Sequence, residues 1–219
     1  MNVLICGSGF SIEQTDNWDL STHTVIAVNN AHGRVKWNYF CCSEDYEKEY
    51  VESIGFPQNL TPIDLSSSQP EGNFFNQASA MYAVEQCGGW DICGRSTVLA
   101  TAYCSLVYFG KAINQIGFIG ADMVYNGPNQ STAYYGRGID IELKGYSDPS
   151  LMAKFQREYN RSTLNAYYNK PWCDLTDEEI IQFFYNRLAV YARETYNVGL
   201  VNYSTIQQSL LPYERQTYV

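Results

Sequence analysis

A chain of 219 residues that is 45% hydrophobic is long enough to bury one large core, and its formal net charge of -9 argues against a general nucleic-acid coat or a binder of anionic membrane surfaces. No apolar run reaches the length of a membrane span, and the first apolar run begins at Asn2, leaving no room for a signal peptide. The sequence therefore predicts a cytoplasmic protein with no membrane span. In that compartment the seven cysteines (Cys6, Cys41, Cys42, Cys87, Cys93, Cys104 and Cys173), with no CxxC pair and with only His23 and His32 as histidines, read as buried apolar side chains rather than a zinc site or a disulfide framework.

Taken in order, Asn2–Cys6 (NVLIC) predicts a short buried strand that runs straight into Gly7-Ser8-Gly9-Phe10-Ser11. Glycines there let the backbone approach a ligand, and free N–H groups with the Ser11 hydroxyl suit a phosphate. The loop lacks the third glycine of the dinucleotide fingerprint, and no P-loop lysine follows. Residues 24–28 (TVIAV) predict a second strand ending at Asn29-Asn30-Ala31-His32. Two amides and an imidazole at a strand's carboxyl end suit a base or ribose edge, or else a turn that uses asparagine's tolerance of left-handed geometry. Residues 37–42 (WNYFCC) predict a third strand, followed by an acidic helix from Ser43 to about residue 54. A short strand is expected near 61–65, and a helix over 74–86 that ends at Gly88-Gly89.

Small and apolar residues then recur at helical spacing over 96–109, with Val98, Ala102, Ser105, Leu106 and Phe109 on one face, Ser96 or Thr97 as N-cap and Gly110 as the stop. Residues 115–119 (QIGFI) have the length and apolarity of a buried strand. Gly120 and Asp122 follow at once, where open α/β sheets place their ligands; the alternative is a turn at Gly120 and a cap at Asp122. Residues 126–173 form a long insertion rich in Gly, Tyr, Asn and Ser, of the kind that serves as an active-site lid. It holds six basic against four acidic residues, so the total of -9 leaves about -11 for the rest of the chain, a distribution that suits an anionic ligand under the lid. A helix from Thr176 to about 196 and a strand over 198–202 complete the pattern. The expectation is one α/β domain over 1–219: a Rossmann-like, mainly parallel sheet flanked by helices, with the Gly7–Ser11 loop, Asn29 and Asp122 meeting at one edge.

Five segments, CGSGFS, AVNN, RSTV, IGFIGADMVYNG and VGLVNYSTIQQSLL, together resemble the sialyltransferases of glycosyltransferase family 42 and the Rossmann-like proteins related to them, over most of the chain. The resemblance implies that Ser8, Gly9 and Ser11 hold the nucleotide, that Asn29 touches nucleotide and donor, and that Ser96 and Thr97 lie near the donor phosphate. It further implies that Gly120 and Asp122 meet the ribose, and that Tyr134 or Tyr135 in the lid assists departure of the phosphate. The chain departs from the family in two places. The family's general-base histidine has no counterpart, because no histidine follows His32, and Val124 stands where the family has an aromatic residue. Asp140 or Glu142 in the lid, or His32, would then be the base. The expected activity is metal-independent transfer of a sugar from a nucleotide-activated donor, the co-substrate, to a hydroxyl of a glycan or small molecule. Three other readings stay open: a phage-type transferase acting on hydroxymethylated DNA bases, a phosphotransferase resembling the pterin pyrophosphokinases, and an inactive nucleotide-binding module. A homo-oligomer is also left open.

Overall fold

Strand β1 (Asn2–Cys6) is apolar on both faces, as befits a parallel strand covered on each side, and all but its first residue are buried. In the computed structural model, which describes residues 1–42, 57–89, 96–122, 168–169, 171, 174–207 and 209–218, β1 lies at the centre of one parallel sheet. The other strands are β2 (His23–Val28), β3 (Tyr39–Cys41), β4 (Phe74–Phe75), β5 (Gln115–Ile119), β6 (Gly199–Asn202) and β7 (Glu214–Arg215). Among the described residues the order is β4-β3-β2-β1-β5-β6-β7, all neighbours parallel. The chain thus steps outward from β1 to one edge and returns to β5 on the other side of β1. This is the doubly wound pattern that the sequence predicts, with its reversal between β1 and β5. Cys6 pairs with Ala27 of β2 and with Ile119 of β5, so the three central strands end level.

The period-2 alternation of β1 divides two cores. Val3 and Ile5 face one side, with Ile26, Phe75 and Phe118, under helices α1 (Gln77–Gln86), α2 (Thr97–Phe109) and α3 (Asp177–Tyr191). Leu4 and Cys6 face the other, with Ile12, Val25, Phe40 and Tyr203. That second side carries short 3₁₀ segments, Phe10–Asn17, Leu20–Thr22 and Asn29–Gly33. No helix among the described residues is long and apolar enough to cross a membrane.

Several local expectations are corrected. The helix expected over 74–86 starts only at Gln77. Phe74 and Phe75 pair instead with Phe40 and Cys41 of β3, where Phe74 stacks on Phe40 at 5.4 Å, and the Asn76 side chain accepts from the Ser79 N–H at 3.0 Å to begin the helix. The strand expected near 61–65 reduces to one bridge between Pro62 and Phe74, since proline has no N–H to extend a ladder. The helix from Thr176, opened by a reciprocal Thr176–Glu179 capping box, widens into a π turn at Ala192–Tyr196, and β7 adds an unforeseen edge strand. Cys6, Cys41, Cys42, Cys87 and Cys104 are buried free thiols, as expected. The acidic helix over 43–54, Cys93, Cys173 and the insertion over 126–173, apart from residues 168, 169 and 171, lie outside the described residues.

Candidate functional site

Beyond the reversal point the loops after β1 and β5 are bonded directly to each other. The N–H of Gly7 donates to the Ile119 carbonyl at 2.8 Å and that of Gly9 to the Gly120 carbonyl at 2.6 Å. The Gly120 N–H donates to the Ser11 hydroxyl oxygen at 2.8 Å, and the Ser11 N–H to Asp122 Oδ2 at 2.9 Å. Gly120 has φ 66, and a Cβ on either Gly7 or Gly120 would run into the other's carbonyl, so the pair needs glycine for both conformation and space. A Cβ on Gly9 would come within 2.7 Å of the Gly120 carbonyl oxygen and 2.8 Å of Asp122 Oδ2. The close approach that the sequence suggests for a ligand is here the approach of one loop to another.

Asp122 is the hub of this junction and is only 5% exposed. Its second oxygen, Oδ1, accepts from the Ser204 hydroxyl at 2.6 Å, and its carbonyl accepts from the Leu210 N–H at 3.1 Å. Asn202, fully buried at the end of β6, accepts from the Ser204 N–H at 2.9 Å and donates to Ser209 at 3.1 Å. The loops after β1, β5 and β6 are thereby tied to one carboxylate. A ribose-facing carboxylate open to the crevice is not what forms: both oxygens of Asp122 already accept from the protein. Ser204 and Asn202, which complete the junction, carry no local sequence signal, because their partner lies far away in the chain.

The end of β2 is built differently. Asn29 stands in the left-handed region at φ 51, a conformation that costs most non-glycine residues about 1–2 kcal/mol and asparagine less. Its side-chain oxygen Oδ1 is buried and, among the described residues, has no hydrogen-bond partner. Three residues on, Nδ1 of His32 lies 2.9 Å from the Asn29 carbonyl. A carbonyl can only accept, so Nδ1 is the donor in this contact. The His32 ring stands edge-on to Phe40 at 5.5 Å, and Arg34 pairs with Asp16, which fastens this turn to the segment after the β1 loop. Since Cys6 and Ala27 are paired, Ser8 and Asn29 extend from neighbouring strand ends. Ser8 is half-buried and, among the described residues, makes no hydrogen bond.

Helix α2 starts at the same edge. It precedes β5, whose approach is fixed at the opposite edge by the Asn114 N–H donating to the Met1 carbonyl at 2.8 Å, and its Thr101 hydroxyl lies beside the Cys41 thiol at the carboxyl end of β3. Ser96 occupies the N-cap position but its side chain makes no capping bond, leaving the first-turn N–H groups of α2 without that partner. Thr97 is buried, and its carbonyl accepts from the Thr101 hydroxyl at 2.7 Å. The Cys41 thiol is no nucleophile: burial pushes it up to about 12.

Of the residues singled out in the sequence, Ser8, Asn29, His32 and Ser96 thus lie along one edge, while Gly9, Ser11, Gly120 and Asp122 lock that edge together. Tyr134, Tyr135, Asp140 and Glu142 lie outside the described residues. No family model matches the chain, and no curated protein and no solved structure matches it.

Proposed function

We propose that the protein is a glycosyltransferase that takes a sugar from a nucleotide-activated donor, bound across the carboxyl ends of β1 and β2 and the start of α2. The observation that carries this reading is Asn29: a strained backbone and an unmet buried acceptor together, at the strand end where open parallel sheets bind nucleotides. An acceptor oxygen calls for a donor from the ligand, which a ribose hydroxyl or a base amino group supplies. The first turn of α2, which the Ser96 side chain does not cap, carries a partial positive charge suited to a phosphate, and the Ser8 and Ser96 hydroxyls can add to it.

In the reaction, the acceptor hydroxyl attacks the anomeric carbon while the bond from that carbon to the phosphate oxygen breaks. His32 takes the proton released by the acceptor, and the α2 terminus stabilises the charge that develops on the leaving phosphate, the role otherwise filled by a metal ion.

A thermal-shift screen across CMP, UDP, GDP and ADP tests the binding half. A ligand at 100 times its dissociation constant adds about 2.7 kcal/mol of stability. The matching nucleotide sugar should then be consumed with EDTA present, and His32→Ala should abolish turnover while retaining the thermal shift. Absence of a shift with every nucleotide and nucleotide sugar overturns the reading; a shift without turnover reduces it to a binding module.

A further inference from the structure

Beyond β6 the chain crosses from one face of the sheet to the other. Tyr213 is buried on the helical face, where its hydroxyl donates to the Tyr185 carbonyl at 2.9 Å. Glu214–Arg215 then add β7 to the edge, and the Gln216 N–H donates to the Asn202 carbonyl at 3.1 Å. Tyr218 reaches the opposite face and stacks on Trp18, with ring centroids 4.2 Å apart and planes at 4°. Its hydroxyl lies 2.7 Å from the Asp19 carbonyl and 3.1 Å from His23 Nδ1.

One arrangement of protons satisfies all of these contacts. The Asp19 carbonyl only accepts, so the Tyr218 hydroxyl gives it its hydrogen and turns a lone pair to His23. Nδ1 therefore carries the ring proton, shared between Tyr218 and the Thr22 hydroxyl oxygen 2.9 Å away. Nε2 is buried and, among the described residues, has no hydrogen-bond partner. As a bare lone pair it is tolerated; with a proton added it becomes a buried, charged donor facing no acceptor. We propose that His23 and Tyr218 form a proton-operated latch, in which neutral His23 holds residues 212–218 against the sheet and protonation at Nε2 releases them.

Among the described residues, no neighbouring group supplies the missing acceptor. Tyr203 stands edge-on to the His23 ring at 6.4 Å, and burial raises both its pKa and that of Tyr218, so both phenols stay neutral over the relevant range. The Asp19 carboxylate accepts from the Ser21 N–H at 3.0 Å, and Cys6, which faces Tyr218 from β1, is held as a thiol by burial. Burial lowers the pKa of His23 itself. In the open form the ring is solvated and titrates near its ordinary value of about 6.5. The latch is at full strength above that pH and weakens as pH falls below it, the open fraction rising by up to about tenfold per pH unit until the pKa of the closed form is passed.

Hydrogen exchange followed by NMR on the full chain between pH 7 and 5 reads the latch through the protection factor of the Gln216 amide, with the β1 amides as internal reference. In the wild type that factor should fall with pH while β1 stays protected. His23→Asn keeps an amide donor toward Tyr218 that does not titrate, and its Gln216 protection should be flat with pH. Tyr218→Phe should already show reduced protection at pH 7, which keeps the test open if the Asn variant folds poorly. Constant wild-type protection, the same fall in His23→Asn, or full protection in Tyr218→Phe overturns the latch.

Discussion

At the junction of β1 and β5, Ser11 and Asp122 satisfy each other and Gly7, Gly9 and Gly120 permit the contact; at the end of β2, Asn29 is held at φ 51 with a buried oxygen that no group among the described residues meets. Both regions follow buried central strands, and both carry small or polar residues at the carboxyl edge. The first is at rest, since every hydrogen bond its residues reach for comes from the protein itself. The second stores strain and an unmet acceptor, which a ligand can relieve. What separates them is whether a second loop arrives to use the polar groups.

Changes at the junction should cost most. Gly120→Ala forces a side chain into the left-handed region and against the Gly7 carbonyl, and should destabilise by about 2–5 kcal/mol in chemical denaturation. A loss below about 1 kcal/mol would mean that the two loops are not locked. Asp122→Ala should cost about 2–4 kcal/mol, because it strands the Ser11 N–H and the Ser204 hydroxyl in a buried site. A variant that melts like the wild type but fails to bind nucleotide would return Asp122 to the ligand and erase the distinction between the two regions. At the β2 end the sign reverses. Asn29→Gly removes both the strain and the unmet acceptor, and should leave stability unchanged or raise it by up to about 1 kcal/mol. The smallest effect is expected at Ser96→Ala, within about 0.5 kcal/mol, because its side chain caps nothing. Thr176→Ala, which breaks a capping box, should lose about 1 kcal/mol in the same assay.

The strands β1 and β5 are legible in the sequence because a continuous apolar run between polar ends can only be buried on both faces. Residues 74–75 are not: two phenylalanines suit a helix as well as a strand, and only their stacking beside Phe40 and Tyr39 decides. Asp122 is readable as a carboxylate after a buried strand, but its partner Ser204 is 82 residues away, so its burial depends on how β6 returns. Asn29 is readable both as a left-handed turn and as a ligand contact; the turn is observed, and it leaves the side-chain oxygen unmet. The donor contact of His32 Nδ1 depends on a backbone carbonyl whose direction no residue pattern encodes. The stacking of Tyr218 on Trp18 likewise joins residues from opposite ends of the sequence through the path of the sheet edge.

The most direct test of the contrast is the melting of Asn29→Gly with and without the nucleotide that stabilises the wild type. Without ligand, the variant should melt at or above the wild-type temperature, and the nucleotide-induced rise should be gone. A variant that melts lower on its own yet keeps the full nucleotide shift would contradict the account, placing the ligand elsewhere and making Asn29 an ordinary turn residue.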